Sequence, residues 1–249
     1  MCNGVIYMNE IIKSLHERKS VRVFEDKEIT DDIKKEILMA ALQAPSAGCQ
    51  QLYTIIDVTD EKLKYDLSKS CDNQPFIADA KMVLVFCADC KKWYDAYIEG
   101  GCKPREPGVG DLLLAVSDAN IAAQNAVVAA SSFGIGSCYI GDIMENYERQ
   151  RELLNLPDYV FPCAMLVFGY PTIQQQNRLK PERFDLKYMV HQNQYHTMES
   201  SELREMFKFK HPTSSFEDWI NAFCNRKYNS DFSKEMTRSV EEYLKHFKF

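Results

Sequence analysis

Two continuous apolar segments place the tightest limit on what this 249-residue chain can fold into. They are residues 82–87 (MVLVFC) and residues 163–168 (CAMLVF). Because neither segment alternates between apolar and polar residues, each is typical of a strand that is covered on both faces. We therefore predict two strands that are buried on both faces.

A long helix is predicted between these segments, over residues 111–132. It is dense in alanine and other small side chains, so neighbouring elements can approach it closely and we expect it to be central. A glycine C-cap is expected at residues 133–136 (FGIG). A membrane span is not predicted, because polar residues interrupt the segment: Asp111, Ser117, Asp118, Asn120, Gln124 and Asn125.

Helical spacing of apolar residues predicts a first helix over residues 8–17, with Arg18 and Lys19 in its last turn. A second helix is predicted to begin at Thr30, an N-cap residue, and to stop before Pro45. Further strands are predicted at residues 52–58 and 137–140, and further helices around residues 216–223 and 236–244. No repeat or linker divides the chain, so we predict one α+β domain over residues 1–249, with a helical extension over about residues 200–249.

Composition excludes several classes of function. The net charge of −6 argues against a nucleic-acid surface, which needs an excess of clustered Lys and Arg. The first residues lack the basic and apolar regions of a signal peptide, so a cytoplasmic protein is expected. The nine cysteines are an odd number, and the single CxxC pair, Cys87 and Cys90, has no second pair at zinc spacing. We expect Cys87, Cys138 and Cys163 to pack as small apolar side chains.

Two short segments carry residues suited to a ligand. Residues 17–24 (ERKSVRVF) place two cations, a hydroxyl group and a further arginine on one stretch, which suits a phosphate and an electron-rich ring edge. Residues 44–51 (APSAGCQQ) are small and contain a proline, which lets the backbone approach a flat ligand closely. The alternative for the first segment is a solvated helix end whose cations are favoured by the helix dipole.

The order of motifs along nearly the whole chain resembles the FMN-dependent nitroreductase and flavin reductase family, in its larger, NADPH-preferring branch. The segments that carry the resemblance are residues 18–22 (RKSVR), 44–50 (APSAGCQ), 71–76 (CDNQPF), 83–89 (VLVFCAD), 134–141 (GIGSCYIG), 167–171 (VFGYP), 180–183 (KPER), 226–232 (RKYNSDF) and 238–240 (RSV).

The resemblance implies a nitroreductase-like α+β fold, with a central mixed or antiparallel sheet flanked by helices and a C-terminal extension onto a partner subunit. It implies a homodimer with FMN at the interface. The implied phosphate and ribityl contacts are Arg18, Lys19, Ser20, Lys180 and Arg183. The implied ring contacts are Arg22 and Gln74 at the pyrimidine edge, Pro45, Ser46 and Ala47 from the partner subunit, and the segment Tyr139, Ile140, Gly141 and Asp142, in which the Gly141 N–H faces flavin N5.

The implied activity is two-electron reduction of nitroaromatics, quinones or flavins, with NAD(P)H delivering hydride to FMN in ping-pong order. No protein residue is expected to act as nucleophile or obligatory acid, since the flavin carries the chemistry. Basic residues that could meet the 2′-phosphate of NADPH are Arg204, Lys208 and Lys210. The alternatives are a flavin-storing or flavin-sensing protein, and a dehalogenating or flavin-fragmenting enzyme on the same scaffold.

Three residues depart from the family pattern. Asp142 stands where relatives usually have a second glycine, and its carboxylate would oppose negative charge on the ring. Cys49 occupies a position commonly held by asparagine. Glu182 lies within the basic loop, so the choice of phosphate ligands among Arg178, Lys180 and Arg183 stays open.

Overall fold

The computed structural model describes residues 9–247. Its four strands form one sheet in the order β1-β2-β4-β3, and each neighbouring pair is antiparallel. The strands are β1 (Tyr53–Asp57), β2 (Met82–Asp89), β3 (Gly136–Ile140) and β4 (Val160–Gly169). The helices are α1 (Glu10–Glu17), α2 (Asp31–Leu42), α3 (Glu61–Ser70), α4 (Lys91–Glu99), α5 (Val109–Ser132), α6 (Tyr147–Leu154), α7 (Ile173–Asn177), α8 (Leu186–Met189), α9 (Ser200–Phe207), α10 (Phe216–Lys227) and α11 (Asp231–Leu244).

The two predicted apolar strands are confirmed as the centre of the sheet. Every residue of β2 and of β4 is buried, and the two strands pair with Val85 opposite Met165. Their register shifts between Phe86 and Cys87. A strand with neighbours on both edges and cover on both faces has no polar side, which explains why its sequence does not alternate.

Helix α5 packs against this sheet, as its small side chains predict. Ala115, Ala119 and Ala122 have no exposed surface. The helix is followed by Gly134 at φ 72°, the left-handed C-terminal position that glycine favours. By length and composition alone α5 could also cross a membrane, since its most apolar window has a mean hydropathy of 1.4. Its alanine face is covered by the sheet, which is the environment of a core helix.

Helix boundaries follow their capping residues. Thr30 Oγ1 accepts from the N–H of Ile33 at 3.4 Å, so α2 begins where predicted. The predicted position of Arg18 and Lys19 inside the first helix is wrong, because α1 ends at Glu17 and Arg18 adopts φ −53° and ψ 127°. The predicted start at Met8 lies outside the described residues.

The cysteines within residues 9–247 are free thiols. Cys87, Cys138 and Cys163 are fully or almost fully buried, as expected for small apolar side chains. Burial raises the pKa of Cys163 to about 12, so its thiol stays protonated. Within residues 9–247, no group of three or more His, Cys, Asp or Glu side chains is arranged to hold a metal ion.

The chain forms two compact units, one from residues 180–234 and the other from the residues on either side of that segment. The first unit in sequence contains the sheet, helices α1 to α7 and the part of α11 that begins at Glu235. The second contains α8, α9 and α10, with an aromatic cluster around Phe207 and Trp219. One domain over residues 1–249, and an extension of the chain onto a partner subunit, both stay predictions.

Candidate functional site

Residues 18–22 run along the open edge of β3, which brings two of the predicted segments together. The N–H of Val21 donates to the carbonyl of Ser137 at 3.0 Å, and Ser20 forms a parallel bridge with the same serine. The guanidinium carbon of Arg18 lies 5.7 Å from the centre of the Tyr139 ring. Arg18, Ser20 and Tyr139 therefore occupy one part of the surface.

Arg18 has a donor without an acceptor. Its Nε is buried and forms no hydrogen bond within the described residues. A buried cationic donor that lacks a partner is costly, and an anionic oxygen would satisfy it. Burial raises the pKa of Tyr139 to about 12 although Arg18 opposes this, so the phenol stays neutral, and its hydroxyl donates to Gln124 Oε1 at 3.3 Å. This corner therefore fits a phosphate or another anion.

Lys19 and Arg178 fasten this corner to the chain that follows β4. Lys19 Nζ donates to the carbonyls of Gln176 and Arg178, both at 2.6 Å. The Arg178 guanidinium donates in turn to the carbonyl of Ser20. Two of the three donors of the Lys19 ammonium are thus used within the protein. Arg178 therefore lies beside residues 18–20.

Arg22 lies next to the segment that contains Gln74. The N–H of Arg22 donates to Gln175 Oε1 at 3.3 Å, and its guanidinium carbon lies 5.9 Å from the Phe76 ring centre. Gln74 donates from its backbone N–H to the carbonyl of Ser68 and from its side chain to the carbonyl of Cys71, both at 2.9 Å. The side chain of Gln74 is therefore held in one orientation, two residues before the ring that Arg22 approaches.

Gly141 directly follows β3 and begins a short 3₁₀ helix, Gly141–Met144. A Cβ atom built on Gly141 would have no heavy atom within 4 Å, so packing inside the chain does not require glycine here. The neighbouring side chain of Ile140 is 2% exposed and belongs to the core. This turn therefore leaves open space above a glycine backbone.

A buried carboxyl group lies at the base of the same turn. Glu145 is 5% exposed, and its Oε1 has no hydrogen-bond partner within the described residues. Burial, followed by the carboxylates of Asp142, Asp72 and Glu235, raises the pKa of Glu145 to about 7. Glu235 also accepts from the N–H of Asn146 at 3.2 Å, which fixes the end of the turn. The sequence pattern gave no indication of Glu145.

The segment that contains Pro45, Ser46 and Ala47 lies elsewhere in the chain. The N–H of Ala47 donates to Asp118 Oδ1 on α5 at 3.0 Å. Within residues 9–247, no hydrogen bond joins residues 45–52 to residues 18–22. The contribution of Pro45, Ser46 and Ala47 to a partner's site stays a prediction.

Lys180 and Arg183 belong to the second unit. Arg183 donates to the carbonyl of Pro181 at 2.8 Å. It lines a cavity of about 600 Å³ within that unit, together with Lys187 and Lys208. The joint action of these residues with Arg18 stays a prediction.

Comparison with known proteins identifies the class. The sequence model of the Nitroreductase family matches residues 15–170. A protein named Cr(VI) reductase, from Pseudomonas sp. (strain G-1), is 31% identical over 230 residues, which cover 92% of this chain and 90% of that protein.

Two solved structures show the same fold. The structure of B. megaterium NfrA2 has a TM-score of 0.81 and 29% identity, covering 97% of this chain and 99% of that one. The NADPH:FMN oxidoreductase from Vibrio harveyi, complexed with NAD⁺, has a TM-score of 0.80 and 25% identity, covering 95% and 98%. The chain belongs to the nitroreductase family, and the predicted family and fold class are confirmed.

Proposed function

We propose that this protein binds FMN along residues 18–22 and 139–142 and uses it to transfer two electrons from NAD(P)H to a small flat acceptor. The enzyme class follows from the family: the protein is an FMN-dependent NAD(P)H oxidoreductase. The observation that carries the placement of the cofactor is the buried, unpartnered Nε of Arg18 beside Tyr139.

The phosphate end of FMN is assigned to the corner around Arg18. Its guanidinium offers a planar fork to phosphate oxygens, and Ser20 adds a hydroxyl donor. Lys19 contributes positive charge while its hydrogen bonds hold the corner together. Arg178 joins this set because its guanidinium reaches the Ser20 carbonyl. Lys180 and Arg183 stay proposed as further phosphate contacts on the family resemblance alone.

The ring end is assigned to Arg22, Gln74 and the turn at Gly141. When bound, FMN supplies a ring that accepts hydride at N5 and passes it on. Arg22 is an exposed cation that would face the pyrimidine edge and stabilise the negative charge that develops there on reduction. Gly141 leaves the space in which its own N–H can approach the ring closely. The chain's own residues bind and orient, and none is assigned as a catalytic acid or nucleophile.

A second copy of this chain is proposed to complete each site. Apolar side chains are exposed on α1, where Ile11 is 63% exposed, and on α5, where Leu113 and Leu114 are 62% and 53% exposed. Exposed apolar residues of this size are typical of a surface that a partner covers. In such a homodimer, Pro45, Ser46 and Ala47 would pack against the ring bound by the partner subunit.

The donor and the acceptor are proposed from the family. NADPH is the favoured donor, since a relative of this fold is named an NADPH:FMN oxidoreductase. Among the basic residues suggested for its 2′-phosphate, Arg204 pairs with Glu217 at 2.6 Å and Lys208 with Glu205 at 3.5 Å. Nitroaromatics, quinones and free flavins present the same flat, electron-poor group and are the proposed acceptors. We place the enzyme in the cytoplasm, where NADPH is available and thiols stay reduced.

The placement of FMN is tested by two arginine variants. Arg18→Gln keeps a polar side chain but removes the guanidinium charge and its Nε–H donor, so FMN affinity should fall by about tenfold or more. Arg149→Gln, which removes an arginine that pairs with Glu152 at 2.8 Å on α6, is the control. FMN binding is measured from the quenching of its fluorescence. Equal FMN affinity in the Arg18 variant and wild type would remove Arg18 from the site.

A further inference from the structure

The segment of residues 46–52, here named the 46–52 loop, has an unusual backbone. Gly48 and Cys49 both have φ 56°, and Gln51 has φ 50°. Residues that carry a Cβ adopt this left-handed region only where the surroundings impose it. The conformation of the loop therefore depends on contacts that hold it in place.

The main contact comes from a buried carboxylate on α5. Asp118 is 3% exposed, and each of its oxygens accepts from a backbone N–H of the loop. Oδ1 accepts from Ala47 at 3.0 Å, and Oδ2 accepts from Leu52 at 3.1 Å. One side chain thus holds both ends of the loop, and its own burial is offset by two charge-assisted hydrogen bonds.

Two further hydrogen bonds fix the middle of the loop. Ser46 Oγ accepts from the N–H of Gln51 at 3.0 Å. Trp93 Nε1, on α4, donates to the carbonyl of Gln50 at 2.7 Å. The loop is therefore shaped by the protein itself, before any ligand arrives.

We propose that Asp118 is a positioning residue of the FMN site, which holds the 46–52 loop in the shape that packs against the ring bound by the partner subunit. This inference rests on the proposed function, since the loop and the adjoining Pro45 are the residues assigned to that contact. Asp118 itself is too deeply buried to touch the cofactor, and it acts through the backbone of the loop.

Asp118→Asn is the discriminating change. An asparagine offers one carbonyl oxygen, so it can accept from only one end of the loop, and its NH₂ group faces the other backbone N–H. The released N–H loses its acceptor, and the left-handed residues Gly48, Cys49 and Gln51, which lie between the two ends, are then held at one end only. A surface that must be reordered on binding loses affinity, because the ligand then bears the cost of ordering.

Asp89→Asn is the matched control. Asp89 is also buried, at 5% exposed, and its Oδ1 accepts from the backbone N–H groups of Lys91 at 2.9 Å and Lys92 at 3.2 Å. Its side chain forms no hydrogen bond with the 46–52 loop, and its backbone N–H, which donates to the carbonyl of Leu52 at 2.9 Å, is retained in the asparagine variant. Both substitutions remove a buried carboxylate that binds backbone donors, and only Asp118→Asn removes an acceptor of the loop's own N–H groups.

The experiment compares FMN affinity, urea stability of the FMN-free protein and sedimentation for wild type and both variants. We expect both variants to lose stability, while only Asp118→Asn weakens FMN binding, by about tenfold or more, with unchanged assembly. Wild-type FMN affinity in Asp118→Asn, at reduced stability, would show that Asp118 only supports the fold. Failure of the wild type to bind FMN would instead overturn the proposed function.

A measurement on the unmodified protein covers the case in which Asp118→Asn does not fold. Because Asp118 orders the loop in advance, the amides of Ala47 and Leu52 should exchange slowly with solvent already in the FMN-free protein. Rapid exchange of these amides without FMN, and protection only after FMN is added, would contradict the inference.

Discussion

The buried carboxyl of Glu145 gives the stability of this protein an unusual dependence on pH. Its pKa is raised from 4.5 to about 7, first by burial and then by Asp142, Asp72 and Glu235. Within residues 9–247, no cation is among the groups that shift this pKa, and Arg238, which pairs with the neighbouring Glu235 at 2.8 Å, also pairs with Glu148 at 2.9 Å. Glu145 therefore stays protonated in the folded state at pH values where the unfolded chain has lost that proton.

The sign of the effect follows from proton linkage. Between pH 4.5 and about 7 the folded state binds more protons at this position, so the stability contributed by protonated Glu145 is lost as the pH rises. A pKa change of this size corresponds to about 3 kcal/mol, at about 1.4 kcal/mol for each tenfold change in proton affinity. Because the side chain is 5% exposed, water does little to reduce that figure.

The perturbation is Glu145→Gln, which keeps the shape and cannot ionise. The free energy of unfolding in urea is measured from about pH 5 to pH 8 at one protein concentration. Relative to wild type, the variant should gain up to about 3 kcal/mol of stability across this range. Glu152→Gln, at an exposed carboxyl on α6, should show no such gain. A constant difference between Glu145→Gln and wild type would refute the reasoning.

Three further predictions concern the turn and its neighbours. Gly141→Ala should leave the stability of the FMN-free protein unchanged, because a Cβ there meets open space, but should weaken FMN binding by about tenfold on titration. Gly136→Ala should cost about 1–3 kcal/mol in urea unfolding, because its Cβ would lie 2.6 Å from the Val21 side chain. Arg238, as the largest influence, lowers the pKa of Glu235 to about 2, so the wild type should lose stability as the pH falls from 4.5 towards 2. Glu235→Gln cannot ionise at this position and should not show that loss. Unchanged FMN affinity in the first variant, unchanged stability in the second, or an unaltered acid profile in the third would contradict these expectations.

The elements that could be predicted from the sequence are those in which the residue types of the element itself reflect its burial or its capping. β2 and β4 are buried on both faces, so their sequences lack polar positions. The start of α2 is marked by Thr30, whose side chain caps the helix directly. Helices α3 and α4 were not predicted, because they are short and carry few buried apolar residues, and tertiary contacts stabilise them.

The candidate site was only partly accessible to sequence reasoning. The motifs at residues 18–22 and 139–142 meet because the chain after α1 runs along β3, and that contact spans more than a hundred residues. In the sequence, Asp118 is a polar residue that interrupts an apolar helix. Its role becomes visible only in the structure, where it accepts hydrogen bonds from the 46–52 loop. The pKa of Glu145 is raised by burial and by neighbouring carboxylates, and one of these, Glu235 on α11, lies far along the chain.

The most direct test of the proposed function is the visible spectrum of the purified protein without oxygen, followed during addition of NADPH and then of NADH. The account predicts a protein that is yellow, or becomes yellow with added FMN, and whose flavin absorbance is bleached rapidly by NADPH. A nitroaromatic or quinone should then restore the colour. A protein that takes up no FMN would contradict the account, and one whose bound flavin neither nicotinamide bleaches would instead be a flavin-storing or flavin-sensing protein.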